Sequence, residues 1–286
     1  MANLKEIRNR IASVGSTMQI TSAMKMVSAA KLKKAQDAIT AMRPYSDKLT
    51  ELLQSLSATL EGDSSSVFAK QRTINNILVV AITSNKGLCG AFNTNIIKGS
   101  IKIAKETYPD KQVDFVTIGK KGNDIIRKSN KVVSNNNAVF DDLTFDNVSE
   151  IAEKLMELYA DGSYDKIILV YNHFRNAGTQ IVKTEDFLPI IPVDTDSKTS
   201  LDYIFEPSKR EIVETLIPKS LKTQLYKAIR DSFASEHGAR MTAMHKATDN
   251  AKELRDQLKL TYNKARQAAI TNEILEIVGG AEALNK

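Results

Sequence analysis

ANLKEIRNRIASVGSTMQITSAMKMVSAAKLKKAQDAITAMRPYSDKLTELLQSLSATLE, residues 2–61, holds only two residues that would weaken or break a helix, Gly15 and Pro44. The stretch from Lys219 to Val278 holds one, Gly238. At 1.5 Å of rise per residue, each arm would run roughly 90 Å, far beyond the three or four turns of an average helix. A small globular core cannot stabilise helices of that length. They need each other, or a partner that encloses them.

The first arm carries its own contact pattern. Leu4, Ile7, Ile11, Val14 and Met18 alternate at spacings of three and four, the coiled-coil period. The pattern returns with Met42, Tyr45, Leu49, Leu52, Leu56 and Leu60. Residues 19–41, QITSAMKMVSAAKLKKAQDAITA, are instead rich in Ala, Ser and Met. Two readings fit: a slim helix for a tight sleeve, or an Ala-rich helix packed on its hairpin partner. In the second arm, Leu225, Ile229 and Phe233 form a stripe, and Leu254, Leu258, Tyr262, Ala265 and Ala269 resume the seam.

The middle reads differently. Gly62 and Ser64-Ser65-Ser66 end the first arm. Ile77 to Ile82 and Lys166 to Tyr171 are short continuous apolar runs, the mark of strands buried on both faces. Val113 to Ile118 and Thr179 to Thr184 read as further strands. Helices are expected over 95–106, 121–128 and 148–159, and Pro189, Pro192, Pro207 and Pro218 mark a connection. Strand and helix alternating at this spacing predict a parallel-rich sheet with helices on its faces. The expected fold class is α/β, with coiled-coil helices over 1–62 and 208–286 flanking a central Rossmann-like domain over 74–195.

Composition limits the possible functions. The chain has 286 residues, 26% of them charged, with a net charge of +6. No stretch approaches the roughly 20 apolar residues of a membrane span. MANLKEIRNR lacks the apolar core of a secretory signal, and no transit peptide is evident. One cysteine, Cys89, precludes an internal disulfide and suits a reducing compartment. His173, His237 and His245 are scattered, so no metal cluster is expected. Residues 1–50 carry a net charge of +6 and residues 219–286 a net of +4, leaving the middle near −4. Basic arms suit an acidic partner surface, nucleic acid or an anionic membrane.

Few segments offer chemistry. Thr83 to Gly90, TSNKGLCG, follows the first strand, where phosphate loops sit in open α/β sheets. It matches neither common glycine signature, and a tight turn into a helix is the simpler reading. Cys89 reads as a small buried residue rather than a nucleophile. His237 and His245 lack carboxylates at ligand spacing. Lys31, Lys33 and Lys34 lack the aromatic interleaving of single-strand binders and read as a solvated face. Arg266, Gln267, Thr271, Glu273 and Glu276 are more distinctive, as polar residues in an Ala- and Ile-rich helix. Arg makes forked bonds to carboxylates, and Gln both donates and accepts. They would be the contacts if another protein surrounds this helix, and solvated side chains on an exposed arm if none does.

The arms also carry family motifs. Arg10 to Val14 reads RIASV, Thr17 to Thr21 TMQIT, and Ala23 to Lys31 AMKMVSAAK. The second arm has ASEHGARM over 234–241, ATDNA over 247–251, YNKARQA over 262–268 and ITNEILEIVGGA over 270–281. In this order, along the whole length, they resemble the γ subunit of F-type ATP synthases.

The resemblance implies an antiparallel, left-handed coiled coil that turns inside an α3β3 hexamer. The central domain would be a foot beside the ε subunit and the c-ring of Fo. Proton-driven rotation would cycle the β subunits through ATP synthesis, and hydrolysis in reverse. Catalysis would lie in β, so the chain alone would be no enzyme and need no cofactor. Arg266 and Gln267 match the positions that bond a β catch loop, with Thr271 and Glu273 beyond them. Met24 and Lys25 match the neck near an acidic β lever. The foot would face the ring loops through Tyr203, Phe205 and Glu206, within the segment Asp202 to Glu206. Many relatives have Asp-Arg before the glycine where this chain has Asn85-Lys86, and the paired-cysteine insertion of the chloroplast form is absent. No nucleic acid would bind, and membrane contact would come only through the complex. The expected place is the cytoplasmic face of the bacterial inner membrane.

Overall fold

The computed structural model describes residues 4–57, 67–68, 72–190 and 209–284. Both expected arms are helices: α1, Leu4–Ser57, and α5, Lys209–Leu284. Pro44 and Pro218 lie inside them. Proline removes one backbone bond and crowds the preceding turn. At Pro44 the carbonyl that loses its amide belongs to Thr40, and both residues are exposed to solvent. The chain divides into two compact units, Met1–Ser28 with Met241–Lys286, and Ala29–Arg240.

The second unit contains one five-stranded sheet, ordered β3-β2-β1-β4-β5. Its strands are β1 Asn76–Ile82, β2 Gln112–Ile118, β3 Val132–Asn135, β4 Lys166–Asn176 and β5 Thr179–Leu188. Between them come α2 Phe92–Lys102, α3 Lys120–Ile126 and α4 Phe145–Ala160. β1 pairs in parallel with β2 and β4, β2 with β3, and β4 antiparallel with β5. The expected parallel-rich α/β sheet is therefore present.

β1 is central because its apolar run satisfies two faces at once. Leu78, Val80 and Ile82 join Val148, Ile151, Leu155 and Tyr159 of α4 and Leu221, Leu225 and Ile229 of α5. Ile77, Val79 and Ala81 join Ile96 and Ile97 of α2, with Phe115, Ile168 and Val170. Alternate residues of a strand point to opposite faces, so six consecutive apolar side chains serve two core layers.

Several boundaries differ from expectation. β3 is short and mostly exposed, so it carries no apolar period, and its pairing with β2 forms it. β5 runs to Leu188, with the exposed and half-buried alternation of an edge strand. α2 starts three residues earlier than expected and ends in a wide turn over Ile103–Thr107, where the Tyr108 amide reaches the Ile103 carbonyl at 3.1 Å. Gly62, the serine run and Leu60 lie outside the described residues.

The seam of α1 also differs. Tyr45 is 50% exposed, whereas Ser46 is buried. In this unit the covered positions are Leu32, Ala35, Ile39, Met42, Ser46 and Leu49, still at spacings of four and three. Tyr45 instead lies outside the seam, with the Lys219 ammonium 5.9 Å from its ring centroid.

Two glycines act through close approach. A Cβ on Gly119, at φ +111°, would sit 2.3 Å from the Thr83 carbonyl oxygen. One on Gly238 would sit 3.2 Å from the Ala177 Cα, so this glycine lets α5 lie against the β4–β5 hairpin. Gly119→Ala is expected to cost about 2–5 kcal/mol in urea unfolding. Gly15→Ala, whose Cβ meets nothing within 4 Å, is expected to gain about 0.5–1 kcal/mol. Equal effects would contradict this account.

Candidate interaction surface

In the first unit, residues 4–28 of α1 pack on residues 241–269 of α5. Arg8 donates to the Tyr262 hydroxyl at 3.0 Å, the Thr21 and Thr248 hydroxyls bond at 2.8 Å, and Lys25 Nζ lies 3.5 Å from His245 Nδ1. Each step up one helix is a step down the other, so the pair is antiparallel. On α1 the covered positions are Leu4, Ile7, Ile11, Val14, Met18, Thr21, Lys25 and Ser28. The three-four spacing thus continues where the sequence shows small and polar residues. On α5 they are Met244, Thr248, Ala251, Arg255, Leu258, Tyr262, Ala265 and Ala269. Leu254, expected in the seam, is 41% exposed. Its neighbour Arg255 occupies that place, because the period set by Ala251 and Leu258 selects it.

The seam stops at Ala269. Every residue from 270 to 281 is exposed, including Ile274 at 55%, Leu275 at 64% and Ile277 at 70%. Ile270, Ile274, Leu275, Ile277 and Val278 share one broad side of the helix, and an apolar helix face is normally buried. Thr271 and Glu273 lie on this stretch, Arg266 and Gln267 just before it, and all four are exposed. The Thr271 hydroxyl donates to the Gln267 carbonyl at 2.9 Å, and Gln267, Thr271, Ile274 and Val278 follow one helical stripe. Met24 and Lys25 are half-buried. His245 faces Lys25, and Arg266 lies roughly 30 Å further along α5 by helical rise. The structure therefore groups the six residues into two clusters and does not bring them together. Tyr203, Phe205 and Glu206 lie outside the described residues.

The second unit holds a buried polar cluster that sequence reasoning missed. Arg240 donates to the carbonyls of Lys86 at 3.0 Å and Gly87 at 3.3 Å, and pairs with Glu236 at 2.6 Å. Its Nη1 lies 3.4 Å from His237 Nδ1. The i, i+4 spacing of Glu236 and Arg240 was the one available signal. Ser84 donates its amide to Asn93 Oδ1 at 2.9 Å and its hydroxyl to the Lys86 carbonyl at 2.6 Å. The loop after β1 thus turns carbonyls toward a fixed cation, which is the opposite of a phosphate cradle. Leu88 at its apex has φ +61° and is 65% exposed.

Burial shifts this cluster's protonation. It pushes the Cys89 thiol up, which keeps Cys89 a thiol, as expected of a small buried residue. It also raises the Glu236 carboxyl, against the opposing pull of Arg240. His237 is pushed down to about 4, first by burial and then by the Arg240 and Lys31 charges. His173 donates Nδ1 to Asp231 at 2.7 Å. Among the described residues no group of His, Cys, Asp and Glu is placed to hold a metal.

The ATP synthase family profile matches residues 3–284. The ATP synthase gamma chain of Flavobacterium psychrophilum is 73% identical over 285 residues, covering 99% of both chains. That of Christiangramia forsetii is 69% identical, covering 100% of both. The chain belongs to the ATP synthase gamma-chain family.

Solved structures agree in fold. A rotor chain of Euglena gracilis mitochondrial ATP synthase matches with TM-score 0.68 at 21% identity, over 93% of this chain and 98% of that one. A central stalk/c-ring chain of Tetrahymena thermophila mitochondrial ATP synthase matches with TM-score 0.59 at 26% identity, over 80% of this chain and 99% of that one. In this gamma-family chain the long helices carry the exposed features described above.

His237 gives the gamma fold a pH signature. The ring's ordinary value is 6.5 and its folded value about 4, so between them the unfolded chain binds the extra proton. Stability present above pH 6.5 is lost as pH falls toward 4. Urea unfolding at stepped pH is expected to show wild type losing about 3 kcal/mol more than His237→Gln across this range. A pH-independent gap between the two would contradict it.

Proposed function

We propose that this gamma chain turns as the central-stalk shaft of F1Fo ATP synthase, coupling proton-driven rotation of the c-ring to conformational cycling of the β subunits. Its role in the central stalk of ATP synthase follows from its family. In the proposal, Arg266, Gln267, Thr271 and Glu273 meet β near the end of α5, and Met24 and Lys25 meet it at the neck. The foot, with Tyr203, Phe205 and Glu206, meets the c-ring, and ε sits beside it. Catalysis lies in β, so the chain supplies position and force rather than a reacting group.

The exposed end of α5 carries this reading. Past Ala269 no described residue covers the helix, yet Ile270, Ile274, Leu275, Ile277 and Val278 make one side of it apolar. Burying such side chains gains about 25 cal/mol per Å², which a protein sleeve would supply. Arg266 and Gln267 add directional bonds at the start of that stretch. Basic arms suit acidic levers, with charge positioning the contact more than tightening it. No helix among the described residues is long and apolar enough to cross a membrane. The proposed place is peripheral, on the cytoplasmic face of the bacterial inner membrane, with lipid reached only through the complex and no nucleic acid bound.

Arg266→Ala and Gln267→Ala in the assembled complex are each expected to lower ATPase turnover by about tenfold through lost bonds to β. The purified variants should unfold at wild-type urea concentrations, because both side chains are exposed. Unchanged turnover would overturn the assignment of these contacts.

A further inference from the structure

One nitrogen in the first unit faces two partners that require opposite protonation states. His245 Nδ1 lies 3.5 Å from the Lys25 ammonium on α1 and 3.4 Å from Asp249 Oδ2, one turn along α5. A lysine ammonium only donates, so the Lys25 contact requires a bare Nδ1 with the proton on Nε2. A carboxylate only accepts, so the Asp249 contact requires a proton on Nδ1. Both cannot hold together.

We propose that Lys25, His245 and Asp249 form a proton-operated contact between the helices: neutral His245 holds Lys25, and protonated His245 turns to Asp249 and releases Lys25. Histidine changes charge within the range of cellular pH. Protonation removes the acceptor that Lys25 uses and places a like charge beside it. The neighbouring bond between Thr21 and Thr248 does not titrate, so the helices stay in register while the Lys25 ammonium changes partner. Lys25 and His245 face each other across the pair, Asp249 flanks the ring from α5, and Lys246 points about 100° around that helix. The consequence for function rests on the reading of Lys25 as a partner-facing residue: acidification would free a cation for an acidic surface.

Nitrogen NMR of the His245 ring in the full-length chain tests the contact without the complex. At pH 8, the neutral ring should carry its proton on Nε2. Lys25→Met should move the ring's titration up by about 0.2–0.7 pH unit, and Asp249→Asn should move it down by a similar amount. A neutral ring protonated on Nδ1, or a midpoint indifferent to both substitutions, would overturn the switch whatever the chain assembles with. If the ring behaves as expected, the pH profile of ATPase turnover in assembled wild type and His245→Leu, which has no acceptor for Lys25, reads the consequence. Profiles that converge on the acid side, where wild-type Lys25 is released as it is in the variant, support it. Parallel profiles overturn the link to Lys25 while leaving the contact intact.

Discussion

The three-four seam of α1 is the constraint on which the rest depends. It runs from Leu4 to Leu49 without a skipped position, although its occupants change from Leu, Ile and Val to Thr21, Lys25, Ser28 and Ala35, and back to Ile39 and Leu49. A helix of 54 residues cannot hold its shape by propensity alone, since tertiary packing of one face supplies most helical stability. In each unit the period keeps that face turned inward, from Leu4 to Ser28 and from Leu32 to Leu49. Where large side chains give way to small and polar ones, cross-helix bonds such as that between Thr21 and Thr248 take over, and the helices can approach closely.

The sheet solves a different problem. β1 must satisfy two core layers, and it does so with six consecutive apolar residues. The loop that follows β1 is tied down by Arg240 from α5, a buried cation whose charge is met by Glu236 and by backbone carbonyls. That arrangement occupies the place where a nucleotide loop would sit in an open α/β sheet. It directs acceptors inward and leaves Leu88 on the outside, which accounts structurally for a loop with glycines but no glycine signature.

The long helices and the buried strands were legible in the sequence because each has a period that side chains alone reveal. β1 and the first half of β4 are unbroken apolar runs, and the end of α5 stands out because its polar residues interrupt an apolar helix. β3 was not legible, since its few residues are exposed and its ladder comes from β2. Tyr45 and Leu254 misled for one reason: each is the larger apolar residue beside a smaller or polar one, Ser46 or Arg255, that holds the seam position. Size and polarity suggested the wrong neighbour, and the period, read strictly, would have chosen correctly. The Arg240 cluster lay beyond any pattern, because its acceptors are backbone carbonyls more than 150 positions away in the chain. The motifs around Arg266 and Gln267 signalled a partner surface through the family likeness, whereas geometry adds that these residues stand just before the point where the helix pair ends.

The central claim is that the end of α5 is built to be enclosed by other subunits. Amide hydrogen exchange over residues 266–281, in the free chain and in the assembled complex, tests it most directly. The account predicts rapid exchange in the free chain past Ala269, where no described residue covers the helix, and strong slowing on assembly, greatest around Ile274 to Val278. Equal exchange in both states would mean that nothing surrounds this helix, and the reading of the chain as an enclosed shaft would fail.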